Sequence, residues 1–259
     1  MTLATTPDII YPDSDGQPMA DNTKQFNWIV LLKENLECLF ANDPHVFVGG
    51  DLLWYPVEGQ PEIRIAPDVL VALGRPKGDR GSYRQWQEDN VAPQVVFEIL
   101  SPGNTLREMT KKLHFYERYG VEEYYIYDPD RHELTGLERI ADKLELIDNI
   151  EAWTSPRLGI RFDWTPETLK VYYPDGKPFL STVELAKQAE AAQMSVIVER
   201  ERAELEKQRA NQAEHQIELE RNRTKLEQER AEQEKQRADQ AEAEKQQLLE
   251  RLRQAGLEP

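Results

Sequence analysis

The chain has one cysteine in 259 residues, Cys38, so no intrachain disulfide can staple it and no cysteine-rich zinc site can form. Its neighbours Leu36, Leu39 and Phe40 predict an ordinary buried thiol. Histidine is nearly as scarce, and His45, His114 and His132 lack the spacing of metal ligands, which argues against a histidine-based centre. No run of 18 apolar residues is present and no signal-peptide pattern is visible, so neither a membrane span nor secretion is indicated. A cytoplasmic protein is the expectation. Ser101 lies outside any G-x-S-x-G elbow, which removes support for a serine hydrolase. Bases are also few: 32 Lys and Arg stand against 48 Asp and Glu, a net charge of −16. Taken alone, that balance argues against a nucleic-acid partner. From Glu199 onward there are 16 acids and 13 bases, which leaves 32 acids, 19 bases and a charge of −13 in the preceding body.

Proline and glycine are absent between Pro178 and Gly256, where Glu, Lys, Arg, Gln and Ala dominate. These are good helix formers. Ala203–Glu214 recurs nearly unchanged as Ala231–Glu242, an offset of 28 residues or four heptads, which predicts a long helix or coiled coil. The seam is thin. One seven-residue row runs Val198, Leu205, Gln212, Leu219, Leu226 and Gln233, and a second is mostly alanine. It predicts a weak, salt-sensitive assembly or a solvated single helix rather than a tight dimer. Residues 1–20, rich in Pro, Asp, Ser and Thr without a period, read as a flexible arm. The expected division is an arm over 1–20, a domain over 21–180 and a charged helical tail over 181–259.

Within the domain, Asp21 or Asn22 can cap a helix whose apolar positions Phe26, Ile29, Leu32, Leu36 and Phe40 recur at helical spacing. Val46–Tyr55 reads as one strand with a glycine break, and Ile65–Leu73 as a second strand. Val95–Leu100 is an apolar run of the kind buried on both faces, and Asn104 or Thr105 can cap a following helix to Tyr119. Glu123–Asp128 is the next strand, and a short strand–helix–strand connection implies a parallel crossover. Leu134–Ile140 and Lys143–Ile147 read as an antiparallel pair, Leu158–Phe162 as a strand, and Thr165-Pro-Glu167 as the start of a short helix.

Two of these apolar runs each carry a lone carboxylate, Asp68 in the first and Glu98 in the second. A bare carboxylate there costs several kcal/mol unless a cation or metal answers it. On the helix after Glu98, rotation by about 100° per residue puts Lys112 within about 60° of Met109, inside the stripe formed by Leu106, Met109, Leu113 and Tyr116. Lys111 falls on the opposite side. Asp68, Glu98 and Lys112 thus form an acid, acid, base set, with a buried structural ion pair as the competing reading for the lysine. Tyr116, one turn further, reads as packing. Asp51, after Gly49-Gly50, is either a third acid near that set or a turn residue. The loop 74–86 holds Arg75, Lys77, Arg80 and Arg84 among glycines, with Tyr83 and Trp86 available to stack. It is either a phosphate-gripping loop or an ordinary solvated one.

These residues resemble the PD-(D/E)xK nuclease core and, more narrowly, the Uma2 (DUF820) family of restriction-type endonucleases. The pieces that carry the resemblance are Ala66-Pro-Asp-Val69, Phe97-Glu-Ile-Leu-Ser-Pro102, Lys112-Leu-His-Phe-Tyr116 and Gly120-Val-Glu-Glu-Tyr-Tyr-Ile-Tyr-Asp-Pro129, in order over roughly residues 20 to 175. Leu100 occupies the place where the wider superfamily has its lysine, and Lys112 takes the position that the Uma2 pattern supplies from the following helix. The resemblance implies an α/β (α+β) fold with a restriction-endonuclease-like mixed sheet flanked by helices, here followed by the long C-terminal helix or coiled coil. It further implies Mg²⁺ or Mn²⁺ held by Asp68 and Glu98, a water oriented by Lys112, and DNA as the substrate of a metal-dependent endonuclease. The acidic body and long tail favour a different class: an inert nuclease-like core serving as an interaction protein, with a homodimer or another coiled-coil partner on the tail.

Overall fold

A computed structural model describes residues 9–254 of the chain, so residues 1–8 of the expected arm lie outside the described part. The chain divides into two compact units, Met1–Ala186 and Lys187–Pro259.

The first unit is built on a six-stranded mixed sheet. Its strands are β1 (Val46–Gly50), β3 (Val69–Leu73), β5 (Val95–Ile99), β6 (Glu123–Asp128), β7 (Glu133–Ile140) and β8 (Lys143–Leu146), side by side in that order. All neighbours are antiparallel except β5 and β6, which run parallel. That parallel pair requires a crossover, and helix α2 (Leu106–Tyr119) supplies it. Thr105 caps its start by accepting the Glu108 N–H. Gly120 ends it at φ +95, a left-handed conformation that a side chain would strain.

Helix α1 (Thr23–Leu39), capped by Asn22, lays Ile29, Leu32 and Leu36 on one face of the sheet against Val69, Val71, Val95 and Phe97. The alternate residues Leu70, Ala72, Val96 and Tyr124 face the other side, where Tyr116 of α2 packs. Asp68 and Glu98 continue that second set by the two-residue period of a strand. Cys38 lies on the exposed face of α1, contrary to the buried thiol expected, because the stripe from Ile29 to Leu36 already defines the inward side. Phe26 is likewise exposed, and its expected inward place in the first turn is taken by Gln25.

Two strand expectations need correction. Val46–Tyr55 is not one strand: the chain bends at Asp51, and β2 (Trp54–Tyr55) pairs in parallel with β4 (Tyr83–Arg84) in a separate two-stranded sheet. Thr165-Pro-Glu167 does not start a helix. It turns a hairpin between β9 (Arg161–Thr165) and β10 (Thr168–Tyr172), where Leu169 and Val171 alternate inward.

Helix α3 runs without a break over Thr182–Gln254 and buries none of its residues. A capping box opens it: Ser181 Oγ accepts the Glu184 N–H, and the Glu184 carboxylate accepts the Ser181 N–H. Its apolar side chains, among them Leu205, Ile217, Leu219 and Leu226, are about half exposed.

The backbone of Leu180 bonds on both sides to the buried Asn35 of α1, so the first unit needs the chain through residue 180. A protein ending after Ala186 is expected to keep the melting temperature of the full chain, followed by circular dichroism. A clear fall, or aggregation of the shortened chain, would show that the tail stabilises the body.

Candidate functional site

In the antiparallel register of β3 and β5, Val69 sits opposite Phe97 and Leu70 opposite Val96. One step beyond that ladder places Asp68 opposite Glu98. The register of β1 on β3 pairs Gly50 with Val69, and Asp51 donates its N–H to the Asp68 carbonyl. Three acids therefore stand in a row across three strand ends. Asp51 holds φ +47, a left-handed conformation that Asp tolerates better than most residues, and it marks where β1 turns away.

Asp68 and Glu98 are almost fully buried, at 8% and 2% exposure. Their partners are specific. Asp68 Oδ2 accepts the backbone N–H of Ile99 at 2.6 Å. Lys112 Nζ donates to Glu98 Oε2 at 2.7 Å. The Tyr116 hydroxyl donates to the other oxygen, Oε1. The buried Gln25 of α1 donates to the carbonyl of Ile99 at 2.8 Å. Ile99 is thus held at its N–H by Asp68 and at its carbonyl by Gln25.

Burial, reinforced by the charge of Glu98, pushes the Asp68 carboxyl up to about 8. Burial also raises Glu98, with the Lys112 ammonium as the main counterweight. For Lys112 burial works the other way, but Glu98 and Asp68 outweigh it and hold its pKa above the ordinary lysine value. A general base works best with a pKa near the working pH. In this geometry Lys112 is a charged donor to Glu98. Burial raises Asp51 as well, helped by Asp15 and Glu98 and opposed by Lys112, so the third acid feels the same cluster.

Asp51, Asp68 and Lys112 line a cleft of about 770 Å³. Its other walls include Asp15 and Asp21 from the N-terminal segment, and Arg64. Asp21 is fixed there by the Ser101 hydroxyl, which donates to its carboxylate. Lys111, expected on the far side of α2, is exposed but also lines the cleft. Leu106, expected on the inward stripe, is 85% exposed at the first helical position.

The sequence-predicted residues are therefore brought together in part. Lys112 is bonded to Glu98, Asp68 stands opposite Glu98 and bonds the Ile99 N–H, and Asp51 lies beside them. Among the described residues no group of three or more His, Cys, Asp or Glu side chains gathers as a metal cage. Two facing carboxylates are nevertheless a donor set that fits Mg²⁺ or Mn²⁺, because such ions keep several waters and often take only one or two carboxylates. A divalent cation would also relieve the repulsion between the two acids.

The loop cations Arg75, Lys77, Arg80 and Arg84 do not line the cleft. Arg75 pairs with Glu88 and Asp89. Arg80 grips Glu88 and lies 3.9 Å from the Phe47 ring centroid. Arg84 lies over Tyr11 and near Asp13. Tyr83, expected to stack, is wholly buried with its hydroxyl on the Val91 carbonyl, and Trp86 packs on Tyr11. Sequence reading missed Gln25 and gave Tyr116 a packing role alone. The available signals were a polar residue on the inward stripe of α1 and a tyrosine four residues after the inward lysine.

Fold and cluster together define a class: a mixed-sheet domain with two acids at adjacent strand ends and a lysine from the crossover helix. The chain belongs to the Uma2 family, described as "Putative restriction endonuclease", which matches residues 7–171. A solved structure described as a "putative nuclease belonging to DUF820", from Anabaena variabilis ATCC 29413, resembles it with a TM-score of 0.41 and 16% identity, covering 55% of this chain and 76% of that one. No curated protein matches the chain.

Between the ordinary carboxylate range near 4 and about pH 8, native Asp68 keeps a proton that the unfolded chain has lost. The native state then binds more protons, so the stability of the metal-free protein falls as pH rises through that window. Denaturant unfolding at about pH 5 and about pH 8 should show this fall in the wild type and a smaller one in Asp68→Asn. Equal falls in both proteins would place the effect elsewhere.

Proposed function

We propose that the protein is a Mg²⁺- or Mn²⁺-dependent endonuclease that hydrolyses phosphodiester bonds in DNA. The observation that carries this reading is the facing pair of buried acids, Asp68 and Glu98, with Lys112 bonded to the second at the edge of an open cleft. Asp68 and Glu98 would hold the cation, with Asp51 on the adjoining strand end in the same cleft. A bound divalent cation supplies Lewis acidity at the phosphate and lowers the pKa of its water. Lys112, charged and partly open to the cleft, orients the attacking water or stabilises the charge that develops on the phosphate. Membership of a restriction endonuclease family supports nuclease chemistry in general; the metal and the DNA substrate are inferred from the donor set and that chemistry.

A second reading has its own observation. Three of the four loop cations that could grip phosphate are engaged with acids or aromatic rings of the same chain. Together with the body's −13 charge, this favours an inert nuclease-like core whose half-exposed helical apolar row serves a second copy or another coiled-coil partner. Metal-dependent nicking of supercoiled plasmid separates the two. Nicking that is lost in Asp68→Ala and Glu98→Ala supports the first reading; no nicking at any Mg²⁺ or Mn²⁺ concentration supports the second.

Calorimetry with Mn²⁺ should show binding to the wild type and none to the Asp68→Ala/Glu98→Ala double variant. Equal affinity for both proteins would overturn the metal assignment. On the nuclease reading, Lys112→Met is expected to slow nicking by roughly 10²-fold, the scale of losing one charge-stabilising donor. Lys111→Met, at the exposed rim, is expected to cost much less. Equal losses for the two variants would show that the cleft needs positive charge in general and not the Glu98-bound ammonium.

A further inference from the structure

We propose that Tyr116 is the positioning residue of Glu98, holding that carboxylate in its metal-binding orientation while Lys112 remains the exchangeable partner. This rests on the reading of Asp68 and Glu98 as metal ligands. The two donors come from one turn of α2, at positions i and i+4, and each takes a different oxygen of the same carboxylate. Their surroundings differ. Lys112 lines the cleft, keeps 15% of its side chain exposed and ends a flexible four-carbon stem. Tyr116 is wholly buried and absent from the cleft lining.

Its ring is fixed on several sides. Trp54 lies nearly parallel to it at 6.3 Å between centroids, and Tyr124 meets it edge-on at 4.9 Å. The helix turn that carries it is tied to β7, because Arg139 donates to the carbonyls of Glu117 and Val121. A hydroxyl on a ring so confined has one direction to point in, and it points at Glu98. Lys112 can leave Oε2 for a water or a phosphate in the cleft without freeing the carboxylate to rotate. A partner behind a metal ligand that fixes its orientation typically contributes 10- to 100-fold in affinity.

The neighbouring Tyr124 gives an internal control. It is buried against the same cluster, but among the described residues its hydroxyl has no hydrogen-bond partner. Removing a buried hydroxyl without a partner costs little and can stabilise. Tyr116→Phe and Tyr124→Phe therefore remove the same atom from adjacent rings and keep the aromatic packing. The experiment is Mn²⁺ calorimetry on both full-length variants and the wild type, with metal-free melting by circular dichroism. The expected result is about a tenfold loss of Mn²⁺ affinity in Tyr116→Phe with the fold retained, and affinity within about twofold of wild type in Tyr124→Phe. Wild-type binding with Tyr116→Phe unchanged, or with both variants equally weakened, would overturn the positioning role alone. Loss of the metal-free fold in Tyr116→Phe, with Tyr124→Phe intact, would make the hydroxyl a stability device and also overturn it. A wild type that binds no Mn²⁺ would overturn the metal reading and this role with it.

Discussion

The arrangement depends on two carboxylates set face to face at the ends of adjacent strands. Opposed like charges are unfavourable even on a solvated sheet. Here both acids are buried, and desolvation adds several kcal/mol for each charged form. The surrounding structure answers with a backbone N–H for Asp68 and an ammonium and a phenol for Glu98. Burial and the charge of Glu98 push the Asp68 carboxyl up to about 8, and among the described residues its one side-chain hydrogen bond is the Ile99 N–H; burial raises Glu98 too, against the charge of Lys112. Such a repulsive pair adds nothing to the stability of the empty fold. A dication at the pair would offset that cost, because its binding would stabilise the native state.

Three elements hold the pair in place, each by a different device. The β3–β5 register sets the acids opposite one another. Helix α1 fixes the strand end through Gln25 on the Ile99 carbonyl, with no contact from that amide to either acid required. Helix α2 brings Lys112 and Tyr116 over Glu98, and its exit is locked by the left-handed Gly120 and the Arg139 bonds. Because β5 and β6 are parallel, α2 must return across the sheet, which places its side chains above the C-terminal end of β5. The crossover is therefore the source of both donors to Glu98.

How much of this was legible in the chain differs by feature. The central strands and α1, α2 and α3 declare themselves through apolar runs, caps and periodicity, and Lys112 through its angular position among Met109, Leu113 and Tyr116. The opposition of Asp68 and Glu98 could not be read locally, since a long connection separates β3 from β5 and only the folded register aligns them. Tyr116 was hidden by its chemistry: a tyrosine on an apolar stripe looks like packing until its hydroxyl is seen to have a destination. Lys111 is exposed as its angle predicts, and it also lines the cleft rim, since backbone direction alone does not keep a long side chain from a neighbouring cleft. Only the turn of the β9–β10 hairpin reads as a helix start, because Thr-Pro-Glu suits a helical first turn as well as a tight turn.

Charge is the remaining constraint, and it bears on what the cleft can accept. Phosphate backbones bind through lysine and arginine, and affinity rises with the number of such contacts. Around this cleft Asp15, Asp21, Asp51, Glu62, Asp68 and Glu108 stand against Arg64, Lys111 and Lys112, so the local field is no more favourable to a polyanion than the body as a whole. The nearby arginines do not redress it, since Arg75 and Arg80 neutralise Glu88 and its neighbour, and Arg84 is covered by Tyr11 and Asp13. On the nuclease reading, the dication then has two tasks. It supplies the chemistry, and it changes the sign of the charge that an approaching phosphate meets at Asp68 and Glu98. A protein built this way would bind nucleic acid poorly when metal-free, which keeps non-specific association low until the site is loaded.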